Sequence, residues 1–180
     1  FRFDLALVDR LRENRDFDLA LALLKRLEKQ APDRGADVNF ASAQIRVEQS
    51  RSEPDMNQRD KQRKLAKADL LKMLSGEVRS DIAPEAKLLL AQVDMQLAQP
   101  QLSQVLPLVK QPPTPQSTAE KDKARKSLME AGKKLASAVE DYQKSVGELS
   151  GKSAAALARQ ASIDRVRLDL AENEYKMART

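Results

Sequence analysis

Histidine and cysteine are both absent from the 180 residues of this chain. Without cysteine there is neither a disulfide framework nor a thiolate metal site. Without histidine the commonest general base, transition-metal ligand and pH switch all go together. An enzyme built from this chain would have to work with carboxylates, Lys, Ser or Tyr. The lack of thiols suits cytosol and periplasm equally, so it leaves the compartment unknown. Aromatic residues are scarce at 3%, and there are only 5 glycines. No apolar run approaches the roughly 18 residues that would suggest a membrane span. The opening "FRFDLALVDR" sets Asp4 and Asp9 within its apolar stretch, which argues against a signal peptide. The chain starts at Phe1 rather than Met and reads as a fragment of something longer, or as a processed product.

What remains is 41% hydrophobic residues, mostly Leu and Ala, and 33% charged residues, with 32 Lys+Arg against 27 Asp+Glu. This is the composition of a helical protein rich in Ala, Glu, Lys, Leu and Arg. The alternation of β-branched and aromatic residues that marks strands is nowhere evident. The expected fold class is all-α.

In "FRFDLALVDRLREN", Phe3, Leu7 and Leu11 recur every four residues with Val8 alongside, giving one helical face. Asp16 is a good N-cap for a second helix, whose stripe is Phe17, Ala20, Leu21, Leu24 and Leu27 before Pro32 stops it. A connection of about three residues forces the two helices into an antiparallel hairpin.

On these residues, 1–32 resembles one tetratricopeptide repeat. Leu7 and Leu11 sit where that family puts large first-helix residues, and "RDFD" at 15–18 resembles its interhelix turn, usually Gly-Asp-Tyr-Asp. Ala20, Leu24 and Leu27 match the core of the second helix. Val8 and Leu27 depart from the pattern, which favours small residues there. Beyond 32 the resemblance decays. "DVNFASAQIRVEQS" (37–50) reads as another first helix, with Val38, Phe40, Ala41, Ile45 and Val47 apolar. Its partner "RDKQRKLAKADLLKML" carries Ala66, Leu70 and Met73 before Gly76, across a connection longer than the family's turn. "APEAKLLLAQVDMQLAQ" (83–99) is a third first helix with Pro84 in its opening turn, and "PQLSQVLPLVK" its short partner, interrupted by Pro107. The resemblance implies stacked antiparallel hairpins, an α-solenoid, over 1–110, because one such hairpin cannot bury its own apolar face.

Residues 111–117, "QPPTPQS", read as a Pro-rich linker, and Ser117 with Glu120 as a capping box. Beyond it, Ala124, Leu128, Ala131, Leu135, Ala138, Tyr142 and Leu149 form a coiled-coil-type seam, with Ser145 filling one heptad slot. After a "SGKS" turn the last segment carries two stripes: Leu157, Ala161, Leu168, Ala171 and Tyr175, and Ile163, Val166, Leu170 and Met177. A helix apolar on two faces needs more than one neighbour. Residues 118–180 are therefore expected to form a long antiparallel helical hairpin.

Sites of chemistry are few. "VGELSGKSA" (146–154) resembles a phosphate loop, but Val146 stands where the first glycine is required and a helix precedes it in place of a strand. A helix end at Gly151, with Ser153 capping the next, accounts for it. Carboxylate pairs such as Glu140–Asp141 or Asp164–Asp169 do not share a helix face, and nothing separates their pKa values. No enzymatic activity, cofactor or metal is expected. The densest basic face is Arg59, Lys61, Arg63, Lys64 and Lys67, diluted by Asp60 and Asp69 and lacking an aromatic to stack bases. It reads as a solvated helix face rather than a nucleic-acid site.

By resemblance, the first helices of the repeats line a groove for a peptide or a partner helix. Arg2, Leu5, Asp9 and Arg12 would face it from the first repeat, and Val38, Ala41, Ile45 and Glu48 from the second. Leu5 and Asp9 break the Lys/Asn pattern with which some members clamp a terminal carboxylate, so chaperone-tail recognition is not expected. The competing reading is that 118–180 fills the groove and makes these residues core. The functional expectation is a non-catalytic scaffold or adaptor that contacts another protein or its own parent chain. The rival is an assembly subunit that homo-oligomerises through the 124–149 seam, and weak polyanion binding through 59–72 stands third.

Overall fold

The computed structural model describes residues 2–76, 82–105, 114–147, 160 and 162–171. Among these every regular element is helical and no strand occurs. In order they are α1 (Arg2–Glu13), α2 (Phe17–Gln30), a 3₁₀ turn (Pro32–Arg34), α3 (Gly35–Ser52), α4 (Met56–Leu74), α5 (Ala83–Val105) and α6 (Pro115–Gly147). A further helix covers 162–171. The all-α expectation is met. The chain divides into two compact units, Phe1–Val93 and Asp94–Thr180.

Local chemistry sets the helix ends. At the end of α1 the Asp16 amide donates to the Leu11 carbonyl at 2.9 Å and the Arg15 amide to Arg12 at 3.0 Å, while Arg15 has φ 64°. This is a Schellman cap with Arg in the left-handed position that glycine usually fills. Asp16 does flank α2, but its side chain makes no capping hydrogen bond. Helix α2 stops at Gln30, ahead of Pro32, with the Ala31 amide returning to Leu27.

Three expectations are corrected. The connection between α3 and α4 is not long, because both helices extend into it and leave only residues 53–55. Asp55 caps α4 by accepting from the Gln58 amide at 2.8 Å, and Arg59 donates to the Glu53 carbonyl at 2.8 Å, closing the turn. Helix α5 does not end before Pro100 but runs through it to Val105. A proline costs a helix one backbone hydrogen bond, and α5 buries two faces against that loss, Ala86 and Val93 on one and Leu88, Ala91, Met95 and Ala98 on the other. The next helix starts at Pro115, inside the stretch read as linker, and its cap is not Ser117 with Glu120. Thr114 Oγ1 accepts from the Ser117 amide at 3.1 Å and Ser117 Oγ from the Thr114 amide at 2.9 Å. Pro115 follows in the first helical position, where its missing N–H costs nothing.

The core of the first unit gathers Val8, Ala20, Leu24, Leu27, Val38 and Ile45, with Leu5, Leu11, Phe17, Leu21, Leu23 and Ala41 packed against it. Leu7 does not belong to it and stands 49% exposed. The buried face of α1 is therefore Leu5, Val8 and Leu11, spaced i, i+3, i+6. Ala66, Leu70 and Met73 of α4 are buried as expected, as is Val47 of α3, while Phe40 is half-buried.

In the second unit Ala124, Leu128, Ala131, Leu135, Ala138 and Tyr142 are all buried within the single chain, together with Val139. Leu149 and the Ser145 side chain lie outside the described residues. Of the last segment's two stripes, Ile163 and Val166 are buried and Leu170 is half-buried, whereas Leu168 is 73% exposed and Ala171 is exposed. That helix therefore buries one stripe over 162–171. Leu157, Ala161, Tyr175, Met177, the lookalike loop 148–154 and Pro107 lie outside the described residues. No described helix is long and apolar enough to cross a membrane.

Candidate functional site

The residues expected to line a groove fall into two groups. Val38 and Ile45 are core, and Leu5 and Ala41 pack on that core, buried by α1, α2 and α3 themselves. The polar members remain at the surface and join across helices. Arg12 Nη1 donates to Gln44 Oε1 at 3.2 Å, and Gln44 Nε2 donates to Glu85 Oε1 at 3.4 Å, so α1, α3 and α5 are linked in one row. Arg12 also lies 3.6 Å from Asp9 and 3.7 Å from Glu48. Asp9 is exposed, Glu48 is half-buried, and the Arg2 side chain lies outside those described. The polar side chains among these positions form a mixed-charge ridge.

The even-numbered helices are linked too. Lys72 of α4 donates to Glu28 of α2 at 2.6 Å, which raises the pKa of the Lys72 ammonium. Beside this pair a cleft of about 370 Å³ opens between α2, α3 and α4. Its floor includes Leu21 and Val38, and its walls carry Lys25, Asn39, Ser42, Arg46 and Asp69. Arg46 Nε donates to Asp69 Oδ2 at 2.9 Å, and Arg46 Nη1 donates to Gln62 at 3.2 Å. Burial nevertheless pushes the Asp69 carboxyl above its ordinary value, outweighing the bond from Arg46. Asn39 is only 8% exposed. Polar residues at 39, 42 and 46 follow helical spacing along α3, a stripe legible in "NFASAQIR" once the apolar face is drawn. No charge run or motif marks this stripe, so spacing is its only signal in the sequence.

A second cleft, of about 420 Å³, lies where α1 ends, lined by Arg12, Arg15, Phe17, Glu48 and Arg51 among others. The basic face of α4 is dispersed. Arg59 is spent on the Glu53 carbonyl, and Arg63 lies 3.3 Å from Asp60, while Lys61 and Lys64 are exposed and Lys67 half-buried. The Arg63 pKa is lowered, first by burial and then by neighbouring Arg59 and Arg51 against the opposing pull of Asp60. Among the described residues no group of three or more carboxylates is placed to hold a metal ion.

The comparisons with known proteins add no family: no protein-family model matches the chain, and no match was found among curated proteins or solved structures.

Proposed function

We propose that this chain is a non-catalytic helical-repeat scaffold of tetratricopeptide-like design, which works by contact with another protein or with its own parent chain. The observation that carries the reading is the pair of side-chain rows. Arg12, Gln44 and Glu85 link α1, α3 and α5, while Glu28 and Lys72 link α2 and α4. Stacked hairpins put alternate helices side by side in two layers, and rows of this kind are what such stacking produces. The turn at 15–18 supports the same reading, since it combines a left-handed cap with the family-like "RDFD". The working surface in this reading is the mixed-charge ridge around Asp9, Arg12 and Glu48.

Assembly through the C-terminal seam is the second reading. Burial of Ala124 through Tyr142 within one chain favours the scaffold over it, because a satisfied seam has no face left for a second copy. Two measurements on the full chain test the choice. Sedimentation should give a monomer across the accessible concentration range. Capture from the source lysate should yield a specific protein that the Asp9→Arg, Glu48→Arg double variant, folded by circular dichroism, no longer retains. A concentration-dependent oligomer, or capture indifferent to the double variant, would overturn the reading.

A further inference from the structure

The cleft between α2, α3 and α4 contains polar groups that the fold does not use. Asn39 is 8% exposed as a residue and lines the cleft, with no side-chain hydrogen bond to another described residue. Its amide atoms are not among the buried ones left without a partner, so they meet the solvent of the cleft, where a ligand could replace water. Ser42, one turn along the same face, is also without a partner among the described residues. Both open onto a space of about 370 Å³, within the range of roughly 300–1,000 Å³ typical of small-molecule sites.

Charge around this space has both signs, and each sign has something to spare. Arg46 occupies Oδ2 of Asp69, leaving Oδ1 without a donor among the described residues. Lys25 has no carboxylate partner among them. A dianion would meet Asp69 and Glu28, and a bare cation would meet Lys25, Arg46 and Lys72. A ligand carrying one charge of each sign satisfies both walls. The apolar floor of Leu21 and Val38 asks for a short hydrocarbon body.

We infer that this cleft binds a free α-amino acid with an apolar side chain, its carboxylate toward Lys25, its ammonium toward Asp69, and the Asn39 amide and Ser42 hydroxyl completing the polar contacts. Such a site stands whether or not the chain acts as a scaffold.

The test is isothermal titration of the full chain with L-leucine, L-valine and L-methionine, each in turn, beside N-acetyl-leucine and leucinamide. At least one free amino acid should bind, and loss of either pole in the two derivatives should weaken binding at least roughly tenfold. Lys25→Glu, an exposed change that breaks no described contact, should weaken it by a similar factor without moving the ligand-free unfolding midpoint. No heat with any of the three amino acids overturns the inference. So does equal binding of N-acetyl-leucine, which would make the cleft a plain anion site, or binding untouched by Lys25→Glu.

Discussion

The Asp16 amide reaches back 2.9 Å to the Leu11 carbonyl across an arginine, Arg15, held at φ 64°. Holding a side chain in the left-handed region costs about 1–2 kcal/mol, whereas glycine adopts it freely. Glycine also gains entropy in the unfolded chain, which returns part of that difference. Arg15→Gly should therefore stabilise the protein by about 0.5–1 kcal/mol. Urea denaturation of the variant checks this, and a loss of stability would mean that the Arg15 side chain contributes more than its backbone strain costs.

Leu24 is fully buried at the centre of the first unit's core. Leu24→Ala should cost about 2–5 kcal/mol, as a buried large-to-small change that leaves a cavity. Leu19, 61% exposed on the same helix, provides the control. Leu19→Ala should stay within about 0.5 kcal/mol by the same denaturation assay.

The start of α6 depends on the reciprocal bonds between Thr114 and Ser117. Thr114→Ala removes the side-chain acceptor for the Ser117 amide and should cost about 1 kcal/mol. Glu120→Ala, at an exposed position with no part in that cap, should change stability by less than about 0.5 kcal/mol. Thermal unfolding of the two variants separates this cap from the one that sequence alone suggests.

Asp69 gives the stability a predictable pH dependence. Its folded-state pKa is raised, chiefly by burial, so the folded protein holds that proton more tightly than the unfolded chain. The contribution is favourable below the ordinary carboxylate value of 3.8 and is lost as pH rises through the raised value. Asp69→Asn lacks this titration. Denaturation between pH about 3 and about 6 should show stability shifting in the variant's favour, relative to the parent, as pH rises. The opposite slope would mean that Arg46 outweighs burial.

Helix type and most of the core were legible because hydrophobic spacing at three and four residues records burial directly. Leu24, Leu70 and Leu135 were marked by their stripes and are buried, whereas Ile45, placed on the groove by repeat position, is core. Prolines misled where packing overrides local preference: Pro100 sits inside α5, and Pro115 begins a helix instead of a linker. Leu7 misled because two overlapping apolar spacings compete in α1, and only contact with α2 and α3 selects Val8. The ridge and the cleft were less legible. Arg12 and Glu48 could be named from repeat positions, but their link through Gln44 depends on how three helices meet. Asn39 acquires meaning only once α2 and α4 wall it in.

Gln44 has a consequence for how the first unit holds its alignment. Apolar stripes of Leu, Val and Ala interlock by shape, but they carry no directional bond. A side-chain amide adds direction: its oxygen accepts a hydrogen bond from Arg12 on one side and its nitrogen donates one to Glu85 on the other. A slip of one helical turn, about 5.4 Å, exceeds the reach of either bond. Gln44 thus works as a detent on α3 between α1 and α5, adding directional bonds to the axial register that interlocking side chains set.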